Sequence, residues 1–114
     1  MLREFIETEV FKNLIDQLDD HNLKRDIEDE ILKNPSRGDV IQGSGGIRKL
    51  RVGKKRAGRG KSGGFRVLYL DLPEYQTTYL IFIYEKGDLE NITSVQKQRM
   101  KEISERIKNE YKKN

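Results

Sequence analysis

The sequence predicts a small α+β fold, in which an antiparallel sheet is packed on one face by an N-terminal helical hairpin and a C-terminal helix. Apolar residues recur with helical spacing before Pro35, change to strand-like runs between Val40 and Tyr84, and return to helical spacing near the C-terminus. At 114 residues, with 34% hydrophobic content, the chain can build one modest core. We therefore predict a single domain over residues 1–114, with the element order β-α-α-β-β-β-α.

The first third of the chain predicts a short strand followed by two helices. Leu2 to Ile6 forms the strand, and Thr8 is placed to cap the first helix. Asp19-Asp20 is placed to end the first helix and to cap the second. Asn34-Pro35 ends the second one, because the residue before a proline is disfavoured in helical geometry. The apolar stripes of the two helices are Val10, Phe11, Leu14, Ile15 and Leu18, then Leu23, Ile27, Ile31 and Leu32.

The rest of the chain predicts strands, a loop and a last helix. Leu80 to Ile83 is apolar on both faces, which indicates a strand inside the sheet with both faces covered. Thr93-Ser94-Val95-Gln96 matches a capping box and begins the C-terminal helix. The other predicted segments are Val40-Ile41 and Ile47–Val52 (split by Gly43-Ser44-Gly45-Gly46), the loop Gly53–Gly64, and the strands Phe65–Leu70 and Thr77–Tyr84.

Charge is strongly segregated along the chain. Residues 40–70, the basic window, hold nine basic residues, eight of the ten glycines and no carboxylate. Subtracting those nine from 23 leaves 14 Lys and Arg against all 19 Asp and Glu. Cations attract phosphate regardless of sequence, so the window predicts a phosphate-binding surface with RNA or DNA as the leading ligand. Its basic residues are Arg48, Lys49, Arg51, Lys54, Lys55, Arg56, Arg59, Lys61 and Arg66.

Two other kinds of site are disfavoured by the sequence. Gly60-Lys61-Ser62 resembles the end of a nucleotide-binding P-loop, but Lys55 stands where that motif needs glycine and a strand follows instead of a helix. The carboxylates between Asp26 and Glu30 scatter around a predicted helix, which is typical of a solvated face. With no cysteine and one histidine in the chain, we expect neither a metal site nor a cofactor.

The N-terminal residues and the lengths of the apolar runs indicate where in the cell the protein is located. Charged residues occupy the positions where a signal peptide needs an apolar run, and no apolar stretch approaches the length of a membrane span. The lack of cysteine fits a reducing compartment. We therefore expect a cytoplasmic protein without a membrane partner.

The residues of the basic window can support cleavage of RNA without a metal ion. The 2′-hydroxyl can attack its own phosphodiester if the enzyme positions it, transfers protons and neutralises charge on the phosphate. Arg66 suits the last task, since an unpaired charge within an apolar strand is costly and guanidinium matches phosphate oxygens. Lys49 is a candidate for proton transfer, because its neighbours Arg48 and Arg51 favour a neutral amine. Tyr84 is a second candidate relay or a base-stacking platform.

Structural interpretations of the same residues also stay open at this point. The alternating cations of Ile47–Val52 fit a solvent-facing strand that discourages edge pairing. The loop at Lys54–Lys61 fits nucleic-acid binding without chemistry, and Tyr84 fits an ordinary core position.

Three segments form a long joint motif. They are Asn34-Pro35-x-x-Gly38-Asp39-Val40-Ile41-x-Gly43-Ser44-Gly45-Gly46-Ile47-Arg48-Lys49-Leu50-Arg51, then Gly60-Lys61-Ser62-Gly63-Gly64-Phe65-Arg66-Val67-Leu68-Tyr69, then Ile83-Tyr84-x-Lys86. Together with the length and element order, the motif resembles the HigB branch of the RelE/ParE toxin superfamily. The resemblance implies a RelE-like fold and a bacterial type II toxin that cuts mRNA in the ribosomal A site without metal. It also implies a cognate, HigA-like antitoxin and the ribosome as partners.

The resemblance further implies roles for individual residues. RelE-like toxins place an arginine in a strand reading Gly-aromatic-Arg-apolar-apolar-Tyr, the position of Arg66, and further functional positions just after the last strand. Gly87-Asp88 stands where RelE itself shows more cations. We expect Arg66, Lys49, Tyr84 and Lys86 to be catalytic, and Arg48, Arg51, Lys54, Lys55, Arg56, Arg59 and Lys61 to contact RNA or the ribosome. Two alternatives are a ParE-like inhibitor of DNA gyrase without nuclease activity and a non-catalytic nucleic-acid-binding module.

Overall fold

A computed structural model describes residues 2–53, 64–88 and 91–112. In these residues the elements follow the predicted order, with strand before helical hairpin, then further strands and a last helix, which confirms the α+β class. The strands are β1 (Glu4–Glu7), β2 (Asp39–Val40), β3 (Arg48–Val52), β4 (Phe65–Leu72) and β5 (Thr77–Glu85), and the helices are α1 (Glu9–Leu18), α2 (Leu23–Lys33) and α3 (Ser94–Lys112).

The strands form one five-stranded sheet in the order β1-β5-β4-β3-β2. Strands β2 to β5 pair antiparallel with their neighbours, but β1 runs parallel to β5. The prediction of an entirely antiparallel sheet is therefore wrong at β1, because the helical hairpin carries the chain from one edge of the sheet to the other. The prediction that the last strand lies inside the sheet is confirmed, since β5 lies between β1 and β4.

Helices cover both faces of the sheet, which corrects the prediction that they pack on one. We call the side covered by α1 and α2 the hairpin face and the opposite side the α3 face. Strands β4 and β5 are apolar on both sides, so each side needs its own cover. The core of the hairpin face contains Phe11, Ile15, Leu23, Ile27, Ile31, Leu50, Val52, Phe65, Val67, Tyr69, Leu80 and Ile83. The core of the α3 face contains Ile41, Ile47, Leu68, Leu70, Leu72, Ile81, Tyr84, Met100 and Ile107.

The helix caps expected at Thr8 and Thr93 are present, whereas α2 begins after Asn22, whose side chain makes no capping hydrogen bond. The Thr8 hydroxyl oxygen accepts a hydrogen bond from the Phe11 N–H at 3.1 Å. At the start of α3, the Gln96 N–H donates to the Thr93 hydroxyl at 3.1 Å, and the Thr93 N–H donates to the Gln96 side-chain oxygen at 2.9 Å. This reciprocal pair is the predicted capping box. The expected stripes are less complete than predicted, since Val10 and Leu32 are exposed.

The turn between β2 and β3 is held by α3. The Ser104 hydroxyl donates to the Gly45 carbonyl at 2.6 Å, and the Lys108 ammonium donates to the same oxygen at 2.8 Å. Gly43 and Gly45 adopt the left-handed region, with φ of +80° and +79°. A Cβ at Gly45 would lie 2.9 Å from Ser104 Oγ, whereas the nearest atom to a Cβ at Gly43 is Lys97 Cδ at 3.9 Å. Glycine at position 45 therefore permits both the turn and the close approach of α3.

Gly45→Ala should destabilise the protein more than its matched control Gly43→Ala. Both variants place a side chain in a left-handed conformation, which costs about 1 kcal/mol. Only Gly45→Ala also overpacks the contact with α3, so we expect it to lose about 1–3 kcal/mol more in the free energy of unfolding. Urea titration followed by circular dichroism measures both values. Equal losses would show that the contact with Ser104 does not restrain the turn.

Candidate active site

Strands β3, β4 and β5 bring two arginines and a tyrosine into one row across the sheet. Arg51 pairs with Arg66, and Arg66 pairs with Tyr84. Directly paired residues project from the same face, with Cβ atoms about 5 Å apart. Tyr84 belongs to the core of the α3 face, so the row lies on that face. We call these three residues the arginine row.

Lys49 and Lys86 lie close to the arginine row. Lys49 precedes Arg51 by two residues on β3, so it projects from the same face about 7 Å along the strand. The Lys86 backbone N–H donates to the Gly64 carbonyl at 3.2 Å, which holds Lys86 beside the residues that begin β4. The structure thus brings the four residues predicted to be catalytic to one end of the sheet, together with Arg51.

Among the described residues, no carboxylate forms an ion pair with the arginine row. In the described residues the ion pairs are Arg3–Asp71, Lys24–Glu7, Lys33–Glu30 and Arg37–Glu30, and none of them uses Lys49, Arg51 or Arg66. Like charges directly opposite each other on a sheet destabilise it. Arg66 is half-buried, and its guanidinium contacts the neighbouring Phe65 carbonyl at 3.4 Å. A bound phosphate would supply the negative charge that this arrangement lacks.

Tyr84 is held in a defined position at the end of the row. Its side chain is almost fully buried, and its ring centroid lies 6.0 Å from that of Phe82. Burial raises the pKa of Tyr84 above its ordinary value, while the positive charge of Arg66 opposes that shift. The phenol therefore stays protonated near neutral pH and can donate a proton or a hydrogen bond.

Arg48 does not join this cluster. Its guanidinium donates to the Ser36 carbonyl at 3.0 Å and to the Gly38 carbonyl at 2.7 Å. The Gly38 N–H donates to the Tyr69 hydroxyl at 3.0 Å, and that hydroxyl donates to the Pro35 carbonyl at 2.7 Å. Tyr69 belongs to the core of the hairpin face. Arg48 therefore holds the segment before β2 on the opposite side of the sheet from the arginine row.

Comparison with known protein families identifies the family of this chain. The family model described as the RelE toxin of the RelE / RelB toxin-antitoxin system matches residues 8–114. The chain belongs to the RelE toxin family. It is thus a toxin of a toxin–antitoxin system, in a family whose members generally cleave RNA on ribosomes and pair with an antitoxin.

In this RelE-family toxin, Arg48→Ala should lower stability more than Arg51→Ala does. Arg48 makes two hydrogen bonds from a charged donor to backbone carbonyls, whereas Arg51 is exposed. We expect Arg48→Ala to reduce the free energy of unfolding by about 1–3 kcal/mol. Arg51→Ala should change it by less than about 0.5 kcal/mol. Urea titration of the two variants gives the comparison, and a larger loss for Arg51→Ala would contradict these assignments.

The remaining predicted contacts of the RelE-family toxin, Lys54, Lys55, Arg56, Arg59 and Lys61, lie outside the described residues. The structure adds a pocket that the sequence did not reveal, with a volume of about 350 Å³ beside Lys49. We call it the edge pocket, because it adjoins the edge strand β2. It is lined by Asp39, Val40, Ile41, Lys49, Asn91, Ile92 and Lys97.

Metal-ligand clusters and membrane-spanning helices are both absent from the part of this toxin that the structure describes. No three His, Cys, Asp or Glu side chains converge there to form a set of metal ligands. None of its helices combines the length and the apolar character that a membrane span requires.

Proposed function

We propose that this toxin is a ribosome-dependent, metal-independent endoribonuclease that cuts mRNA in the ribosomal A site and so inhibits translation. The observation that carries this proposal is the arginine row, in which Arg51 and Arg66 lie opposite each other without a carboxylate partner among the described residues. The joint motif supports placing the chain in the HigB branch, with a HigA-like antitoxin and a cytoplasmic location. Residues 1–114 form one toxin domain in this proposal.

Arg66 holds the phosphate that is cut. Its guanidinium binds two phosphate oxygens and stabilises the negative charge that grows when the 2′-hydroxyl attacks. The Lys49 amine accepts the proton of the 2′-hydroxyl as the O2′–P bond forms. The P–O5′ bond breaks, and the leaving oxygen takes a proton from Tyr84. Lys86 assists by supplying a second positive charge beside the leaving group.

The other cations bind RNA in this proposal without taking part in the reaction. Arg51 contacts the phosphate next to the one that Arg66 holds. Arg48 acts indirectly, since it fastens Ser36 and Gly38 on the hairpin face. The cations of residues 54–61 grip ribosomal RNA, which attracts positive charge irrespective of sequence.

The test adds the protein to naked RNA and to ribosomes that hold a message in the A site, and then maps the cut ends. The proposal expects cuts on ribosomes alone, with 2′,3′-cyclic phosphate ends. A message carrying a 2′-deoxynucleotide at the cut site should resist cleavage, because the attacking hydroxyl is missing. Intact message together with inhibited supercoiling by gyrase would overturn the proposal in favour of a ParE-like function. Intact message with salt-sensitive RNA binding alone would favour a binding module.

A further inference from the structure

We propose that the edge pocket binds the base of a nucleotide adjoining the cut phosphodiester, and that Asp39 selects bases carrying an exocyclic amino group. The inference rests on the proposed function, because it names which RNA the same surface accepts. Nothing in the family assignment addresses base preference.

The walls of the edge pocket suit a nucleotide. Ile41 is buried in the core of the α3 face and Ile92 packs against that core, so the floor of the pocket is apolar. Asp39 and Asn91 are exposed and offer a carboxylate and an amide at its rim. A volume of about 350 Å³ lies within the range of small-molecule sites. A flat base with a hydrogen-bonding edge needs an apolar surface beside a few polar groups, and this pocket supplies both.

Lys49 connects the edge pocket to the arginine row. Lys49 lines the pocket and also lies two residues from Arg51 on the same face of β3. Asp39 pairs with Lys49 across β2 and β3, which puts the carboxylate and the Lys49 side chain in adjacent positions. Lys97, from the first turns of α3, adds a second cation to the pocket wall. An RNA strand whose phosphate lies on Arg66 can therefore place a neighbouring base in the pocket while its backbone follows the lysines.

The chemistry of Asp39 decides which bases fit. An ionised carboxylate only accepts hydrogen bonds, so it needs a donor on the base edge. Adenine, cytosine and guanine carry exocyclic amino groups that donate, whereas uracil presents carbonyl oxygens in the corresponding places. The one ring donor of uracil, N3–H, lies between its two carbonyl oxygens, so a carboxylate that reaches it is repelled by them and should bind uracil less well than the bases with an amino group. The amide of Asn91 both donates and accepts, so it does not discriminate in the same way.

The experiment uses messages with a randomised A-site codon on ribosomes, and sequences the cut ends. The wild-type toxin should disfavour uridine by about 5- to 100-fold at one position adjoining the cut. Asp39→Asn, which nearly keeps the shape and adds a donor, should lose most of that bias. The matched control is Asp29→Asn, which changes an exposed carboxylate on α2 and should keep both the cleavage rate and the bias.

The outcomes separate the inference from the function on which it rests. If the wild type cleaves and Asp39→Asn shows the same base profile as the wild type, the pocket assignment is wrong but the nuclease function stands. Wild-type cleavage without any bias against uridine has the same meaning. No cleavage by the wild type overturns both proposals. If Asp39→Asn keeps the base profile but weakens binding of the antitoxin, the pocket is a protein site and the inference is wrong.

Discussion

Arg66→Ala should abolish growth inhibition and slow the cleavage of ribosome-bound message by about 10²- to 10³-fold, which is the usual effect of removing one donor to a developing oxyanion. Arg66 lies between Arg51 and Tyr84 in the arginine row, and in the proposed function Arg51 is occupied by the next phosphate. The expected loss is in the rate of the chemical step. Single-turnover cleavage with excess toxin measures it, and growth after induction gives the corresponding result in cells.

Two controls make the Arg66 result specific. Arg66→Lys keeps the charge but not the planar fork, so its rate should fall between those of the wild type and Arg66→Ala. Arg25→Ala removes an exposed cation from α2 and should leave cleavage unchanged. Arg66→Ala should also keep its fold and its affinity for the antitoxin. Cleavage by Arg66→Ala at the wild-type rate would show that the row does not hold the cut phosphate.

Asp71→Ala should cause the largest loss of stability among the variants considered, about 3–5 kcal/mol in the free energy of unfolding. The side chains of Arg3 and Asp71 form an ion pair and are only 6% and 11% exposed. The Thr78 hydroxyl donates to the same Asp71 oxygen at 2.8 Å. Removing the carboxylate leaves the Arg3 charge buried without a counter-charge, with the Thr78 hydroxyl at 3.3 Å as its hydrogen-bond acceptor. Urea titration measures the loss.

The double variant Arg3→Leu/Asp71→Leu is the control for this interpretation. It removes both charges, so no unpaired ion stays buried, and it should recover a large part of the stability lost by Asp71→Ala. If the double variant is no more stable than Asp71→Ala, the loss of stability comes from lost packing and not from the uncompensated Arg3 charge. The comparison also measures how firmly Arg3 fastens the segment before β1 to β4 and β5.

The features that the sequence predicted well are those encoded by neighbouring residues. The cap at Thr8 and the capping box at Thr93 depend on three or four consecutive positions, and both are present. The inner position of β5 followed from its run of apolar residues. Arg66 was singled out because it interrupts such a run, and among the described residues no carboxylate forms an ion pair with it.

The features that the sequence missed depend on distant parts of the chain. The motif grouped Arg48 with Lys49, but the hydrogen bonds of Arg48 to Ser36 and Gly38 hold it on the hairpin face, opposite Lys49. Lys97 and Asn91 were not expected at the site, because they reach Lys49 only once α3 covers the second face of the sheet. The face that α3 occupies follows from the total apolar surface of β4 and β5, and no single segment of the sequence states it.

The parallel pairing of β1 with β5 has a consequence for synthesis of the toxin. Residues 4–7, which are translated before the other strands, pair with residues 77–80, and β5 also contributes Tyr84 to the arginine row. Contacts between such distant segments form late, because the entropy cost of closing a long loop precedes the stabilisation that these contacts give. A nascent or prematurely terminated chain therefore has neither a closed sheet nor an assembled row. The topology therefore delays assembly of the arginine row until β5 has been translated.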